Sequence, residues 1–245
     1  MAQPTLVPVE DEKRMTVIEH LEELRRVLII SLIAWAVATV IGFLSSQWVL
    51  HLVLLPVRHV IGTQKLLYSG PTDAFFLFFK VGIFTGFVLA SPIILWQVWT
   101  FVAPGLRRHE RRFAVGFVAS ATALFVMGIA FAFFAMPIAL RFLTSFGTSD
   151  LQYLPFADRY VNFILILIAI FGVTFELPLV VTLLGLAGIV SVGTLRKRRI
   201  WIWIGIFVGA NLVTPGVDPF TPMLLAAPLI ILFELSILVI RALRR

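Results

Sequence analysis

The chain has 245 residues, 60% of them hydrophobic and 13% charged, with 20 Lys and Arg against 13 Asp and Glu and no cysteine. A charged fraction about half the usual one and a mean hydropathy of +1.02 exclude a soluble domain. A chain this long has too little interior to hide that much apolar surface, so lipid is its natural solvent. The missing thiols exclude disulfides, thiolate metal sites and cysteine nucleophiles.

The first 15 or so residues are polar and read as a flexible cytoplasmic N-terminus. The first apolar run is long and flanked by Arg25 and Arg26, so it reads as a retained anchor and not a cleaved leader. Six apolar segments follow in chain order: about Val27 to Ser46, Ala74 to Ala103, Phe113 to Leu140, Tyr160 to Leu186, Ile200 to Val213 and Pro222 to Ile240. A crossing needs ~20 residues for ~30 Å of hydrocarbon. The fifth, with about 14 residues, reaches only ~21 Å, so either it does not span or the bilayer thins around it. Period-two alternation is absent, which argues against a barrel. No strong inverted repeat of the transporter kind is present.

Charge sets the topology. With six spans both termini share a side, and that side collects fifteen of the 20 basic residues. They are Lys13, Arg14, Arg25, Arg26, the arginines at 107, 108, 111 and 112, Arg196 to Arg199, Arg241, Arg244 and Arg245. Arg58, Lys65, Lys80, Arg141 and Arg159 make up the rest. The excess places both termini in the cytoplasm. Residues 16–241 are expected to form one membrane domain and 242–245 a short tail.

Thr16 and Glu19 have capping-box spacing ahead of the first span, and Val17, Leu21, Leu24 and Leu28 fall on one helical face. Glu19, Glu22 and Glu23 cluster within about one turn. They read either as an acidic patch for a cationic partner or as a solvated face in which Glu22 pairs with Arg26 at i,i+4. Trp96, Trp99 and Phe101 suggest an interfacial aromatic belt, ended by Pro104-Gly105. Glu110 lies among four arginines. It either pairs with Arg107 or Arg111 or serves as a second acidic anchor.

Glu176 and Glu234 lie inside the fourth and sixth segments. A carboxylate at that depth costs at least ~2.5 kcal/mol when ionised, so each is a structural hydrogen-bonded group or a functional site. Glu234 lies nearer the cytoplasmic end. Pro178 frees a backbone carbonyl and is expected to kink its helix. His20, His51, His59 and His109 show no metal-ligand spacing, and no Walker, GxSxG or protease carboxylate motif appears. The cationic clusters are too short and too close to the spans for nucleic-acid binding. The chain therefore reads as a non-enzyme without cofactor or metal.

The string His20-Leu21-x-Glu23-Leu24-Arg25 resembles the opening motif of the TatC family. Ser91-Pro92, Gln97-Val98-Trp99-x-Phe101, Pro104-Gly105-Leu106 and Glu110-Arg111-Arg112 are similar to its first cytoplasmic loop. Phe171-Gly172 and Phe175-Glu176-Leu177-Pro178 resemble its fourth helix. Leu195-Arg196-Lys197-Arg198-Arg199 resembles its second cytoplasmic loop, and Thr214-Pro215, Asp218, Pro228 and Glu234-Leu235-Ser236 resemble its end. The motifs run in order from about Glu19 to Arg241.

The resemblance implies an all-α fold of six helices in a concave, glove-like bundle. It implies a receptor for twin-arginine signal peptides on folded cargo, working with TatA and, where present, TatB, and driven by the proton-motive force. A multimeric complex in a prokaryotic cell membrane is expected, with the thylakoid as the alternative. Glu23 and Glu110 match the carboxylates associated with the arginine pair. Arg25 and Phe101 match neighbouring receptor positions, and Glu19 and Glu22 extend the acidic patch. Pro56 matches an outer-loop proline, Glu176 the buried fourth-helix carboxylate, and Thr214 and Asp218 outer-face positions. Pro222 stands where the family carries a Gln associated with docking a partner helix. From the residues alone, the competing function is a proton-coupled small-solute transporter using Glu176. An intramembrane enzyme is a remote third reading, since the catalytic sets are missing.

Overall fold

A computed structural model describes residues 17–62, 66–103, 114–145, 156–213 and 220–243. The described residues form α1 (Val17–Leu44), α2 (Ser46–Ile61), α3 (Asp73–Val102), α4 (Ala114–Thr144), α5 (Ala157–Thr174), α6 (Leu177–Leu186), α7 (Val192–Lys197), α8 (Arg199–Val213) and α9 (Phe220–Leu243). The described β-structure is one parallel bridge between Leu67 and Phe156. Five of these segments are long and apolar enough to cross a membrane: α1, α3, α4, the α5–α6 pair and α9. The segment at α8 is helical, but its 15 residues extend only ~22 Å.

The surface shows what solvates it. Leu28, Leu32, Val37, Val40 and Leu44 on α1 are exposed, as are Phe75 and Phe79 on α3 and Val126 and Phe134 on α4. Helices bare and apolar over most of their circumference are stable in lipid. The core lies where α2, α3, α4, α5 and α9 meet, around Val81, Met136, Ile164, Phe171 and Leu225.

The first span is one continuous helix with the segment that precedes it, so the Glu19–Glu23 turn is rigidly coupled to the transmembrane part. Its last carbonyls are claimed by serines: Ser45 Oγ donates to Ile41 O at 3.0 Å and Ser46 Oγ to Phe43 O at 2.7 Å. This is the usual way to satisfy a helix end without water. The stretch after it, expected as an outer loop, is the helix α2. Val53, Pro56 and Val57 turn inward, while His51 and Arg58 stay exposed with Arg58 Nη1 and His51 Nε2 at 3.2 Å. Pro56 therefore belongs to a helix and not to a loop. Gly62, at φ 64°, ends α2, and its N–H bonds Arg58 O at 3.0 Å. That backbone region favours glycine.

The Tyr160 hydroxyl donates to the Val53 carbonyl across 3.0 Å in a buried setting, tying α5 to α2. Tyr160→Phe is expected to remove about 1 kcal/mol and to lower the unfolding midpoint in detergent by about 2–4 °C. A thermal shift assay reads this directly.

Carbonyls left without a donor by a proline are handled locally. Pro92 cannot donate to Val88 O, and Ser91 Oγ donates there instead at 2.7 Å. At Pro178 the fourth span breaks. α5 ends at Thr174 and α6 starts at Leu177, with Phe175 and Glu176 between them, as the freed carbonyl predicts. The expected aromatic belt is only partly such. Trp96 is exposed, but Trp99 is 5% exposed and packs on Phe117 with ring centroids 4.3 Å apart.

Helices approach most closely through glycine. A Cβ at Gly42 would lie 2.3 Å from Gly82 O, and one at Gly86 would lie 2.5 Å from Thr39 Cα. Small residues on α3 at Gly82, Gly86 and Ala90 therefore let α1 lie against it backbone to backbone, the packing expected between helices in lipid. Trp35 Nε1 donates to Ile83 O at 3.0 Å across the same seam.

Candidate functional site: the paired ends of α1 and α3

The α1–α3 seam carries the N-terminal turns of α1 to the C-terminal turns of α3. There Glu23, Arg26, Val27 and Ile30 of α1 face Gln97 and Thr100 of α3 across a pocket of ≈ 330 Å³. Positions 97, 100 and 101 share one face of α3 because i, i+3 and i+4 do. His20, one turn before Glu23, stacks on Phe101 with ring centroids 4.3 Å apart and planes 12° from parallel.

Glu23 is the acid at this pocket. Its side chain is 25% exposed, and His20 Nδ1 lies 3.5 Å from Oε2. Oε2 is itself buried with no hydrogen-bond partner among the described residues. A buried acceptor without a donor is uncommon and marks a place where a guest can bond. Beside it the His20–Phe101 stack offers a flat aromatic surface, and the pocket is rimmed by the amide of Gln97. This combination suits a planar guanidinium, which bonds carboxylates through parallel N–H groups and stacks on rings.

The other expected residues distribute as follows. Glu19 and Glu22 are exposed on α1. Among the described residues Glu22 and Arg26 form no ion pair, so the i,i+4 pairing of the second of the two readings is not present. Arg25 is exposed and lies outside the pocket lining. Glu110, Thr214 and Asp218 lie outside the described residues. Pro222 falls in the first turn of α9 and is fully buried. A proline there forfeits no helical bond, because first-turn N–H groups have no intrahelical acceptor. His20, Gln97 and Thr100 join the site without having been singled out for it. The shared face at 97, 100 and 101 was the available signal.

The two deep acids differ in kind. Glu234 is claimed by α8: Arg199 Nε donates to Oε1 at 2.7 Å, Arg199 Nη2 to Oε2, and Trp203 Nε1 to Oε1 at 3.2 Å. This fork pins the start of the short helix to α9 and gives Glu234 a structural task. Glu176 sits at the α5–α6 break, where its backbone carbonyl accepts from Leu179 and Val180 N–H at 3.0 Å each. Both of its carboxyl oxygens are buried and have no partner among the described residues. Among the described residues no hydrogen bond joins the two acids.

A multi-pass helical membrane protein with a polar pocket at one end of an α1–α3 pair is the class defined so far. A sequence model of the family described as Sec-independent protein translocase protein (TatC) matches residues 19–228. The chain is 42% identical over 230 residues to the Sec-independent protein translocase protein TatC of Carboxydothermus hydrogenoformans, covering 94% of each chain. It is 36% identical to that of Aquifex aeolicus, covering 91% of this chain and 93% of the other. The chloroplastic relative of Arabidopsis thaliana is 36% identical, with 94% of this chain and 67% of the relative covered. A crystal structure of a twin-arginine translocase receptor, TatC, superposes with a TM-score of 0.79 at 35% identity, covering 93% of this chain and 100% of that one. The chain belongs to the TatC family, a protein-transport component whose members occur in bacteria and chloroplasts.

Proposed function

We propose that this protein is the twin-arginine signal-peptide receptor and core subunit of a Tat translocase. On this reading it exports folded proteins across a prokaryotic cell membrane with TatA and, where present, TatB, using the proton-motive force. The observation that carries the reading is the Glu23 carboxylate, with one buried oxygen unclaimed among the described residues, beside the stacked His20 and Phe101 rings. Glu110, on the following cytoplasmic segment, takes the second arginine, and Glu19, Glu22 and Arg25 set the field around the pair. Two fork-shaped cations suit two separated acids, and ammonium groups lose the bidentate geometry.

The same reading makes α8 a sixth crossing with both termini in the cytoplasm. Arg199 meets Glu234, and Ala210 enters the same core as Leu225 and Leu229. The short helix thus runs back along α9, and the bilayer thins to match it. The family resemblance assigns Pro56, Thr214 and Asp218 to outer-face or partner-docking positions. The test is co-purification of the detergent-solubilised protein with a labelled twin-arginine peptide and its twin-lysine counterpart. Retention of the arginine form at least about tenfold above the lysine form is expected. Equal retention of the two would overturn the assignment.

A further inference from the structure

The pocket at Glu23 already has a planar nitrogen group at its edge. The His20 ring lies on Phe101 with centroids 4.3 Å apart, and its Nδ1 is 3.5 Å from Glu23 Oε2. A flat ring of this kind, stacked on an aromatic face beside a carboxylate, has the outline of the guanidinium that the pocket suits. Host imidazole and guest guanidinium therefore contend for one oxygen.

Which of them holds it depends on a proton. Neutral imidazole has one N–H and one bare nitrogen, and either can stand at Nδ1. At 3.5 Å the contact is too long to claim the acid, and Oε2 has no hydrogen-bond partner among the described residues. Imidazolium carries an N–H on both nitrogens, so Nδ1 then always offers a donor to Oε2. Charge-assisted bonds of this type are shorter and about twice as strong as neutral ones, and closing the gap needs a shift of about 0.7 Å. The His20 side chain is 48% exposed, so water delivers the proton directly. Histidine is the side chain that changes charge between pH 5 and 8.

The other charged groups around the ring belong to α1: Glu19, Glu22, Arg25 and Arg26. Of these, Arg26 lines the pocket with Glu23, and arginine keeps its charge throughout. The end of α3 packed against them brings Gln97, Thr100 and Phe101, none of which titrates.

We propose that His20 is a proton-operated gate on Glu23. Neutral, it stays on Phe101 and leaves Oε2 to an arginine of the visiting peptide. Protonated, it takes Oε2 and closes the pocket. His20 is thus a positioning residue that sets the pH range of capture, and because the guest needs the neutral form, capture weakens as pH falls. The gate rests on the receptor reading of Glu23 and adds its regulation.

The test uses the full chain purified in detergent and a labelled twin-arginine peptide, with capture read by fluorescence anisotropy at pH 7.5 and 5.5. The parent is expected to bind about tenfold more weakly at the lower pH. His20→Phe keeps a ring against Phe101 but cannot take a proton, so its ratio between the two pH values should fall to near one. Any contribution from Glu19 or Glu22 would persist in that variant. His20→Lys carries a fixed cation and should bind about tenfold below the parent at pH 7.5, again with a ratio near one. Equal capture by the parent at both pH values overturns the gate, as does full pH dependence in His20→Phe. Isotope-edited infrared difference spectra between the two pH values, taken without peptide, give a second readout. An ionised Glu23 that gains the imidazolium bond shows a shifted carboxylate band, absent in Glu23→Gln and His20→Phe. A parent band that does not move overturns the gate even if no peptide is captured at any pH. Absence of capture with a moving band leaves the closure standing and rejects the receptor reading alone.

Discussion

Glu23→Ala is expected to weaken capture of a twin-arginine peptide by about ten- to a hundredfold, the range for losing a hydrogen bond to a charged group. The peptide's guanidinium would lose the oxygens that receive its fork. The His20–Phe101 stack, built from other side chains, would remain. The unfolding midpoint should barely move, because Glu23 is partly exposed and its contact with His20 is long at 3.5 Å. Glu23→Gln separates charge from shape. It keeps an oxygen at the pocket but removes the charge, so it should fall nearly as far as alanine. If Glu23 and Glu110 hold one arginine each, their effects multiply in the double variant, as they do for sites without shared partners. Fluorescence anisotropy of a labelled peptide in detergent measures all three. Peptide affinity in the double variant equal to that of the parent would remove Glu23 and Glu110 from the recognition site.

The reading of Glu23 shows where sequence reasoning reaches and where it stops. That Glu23 stands on a helix entering the membrane was legible from the acidic turn and the apolar face beneath it. Its contact with His20 is local, at i,i+3, and follows from helix geometry. Its neighbourhood with Gln97, Thr100 and Phe101 is not local, because it depends on which helix α1 packs against. The spacing Gly82, Gly86 and Ala90 announces a close-packing face on α3 but does not say that Gly42 and Thr39 will occupy it.

Similar physics explains the other departures. The helix α2 escaped notice because Pro56, His51 and Arg58 interrupt its hydropathy. Yet Val49, Val53, Val57 and Val60 keep an interval close to the helical one, and that periodicity was the available signal. Glu234 could be seen as a deep acid, but its partner Arg199 lies 35 residues away in the chain. Only packing of α8 on α9 joins them. Pro178, in contrast, acts on its own backbone, and the break it imposes was legible from the sequence. Local backbone chemistry is written in the chain, whereas the choice of neighbour belongs to the fold.

Gly86→Leu is expected to have the largest effect of any single change on stability. A Cβ at Gly86 would stand 2.5 Å from both Cα and Oγ1 of Thr39, and one at Gly42 would stand 2.3 Å from Gly82 O. Backbone atoms cannot swing aside as a side-chain tip can, so the two helices must separate. Overpacking of this kind costs about 3 kcal/mol or more, and the Trp35–Ile83 hydrogen bond spanning the same seam would go with it. The pocket at Glu23 is built from the far ends of these two helices. Glu23 is some nineteen residues before Gly42, about 28 Å along α1, and yet peptide capture should fall together with the midpoint. That coupling distinguishes Gly86→Leu from Glu23→Ala, which should affect capture alone. Gly205→Ala on α8 is the matched control, because its Cβ enters open space and helix propensity favours alanine by up to about 1 kcal/mol. A Gly86→Leu protein that melts with the parent and still binds peptide would mean that the seam does not hold Glu23 opposite Gln97. The pocket would then need another source of rigidity, and the α1–α3 crossing would lose its role in positioning the acid.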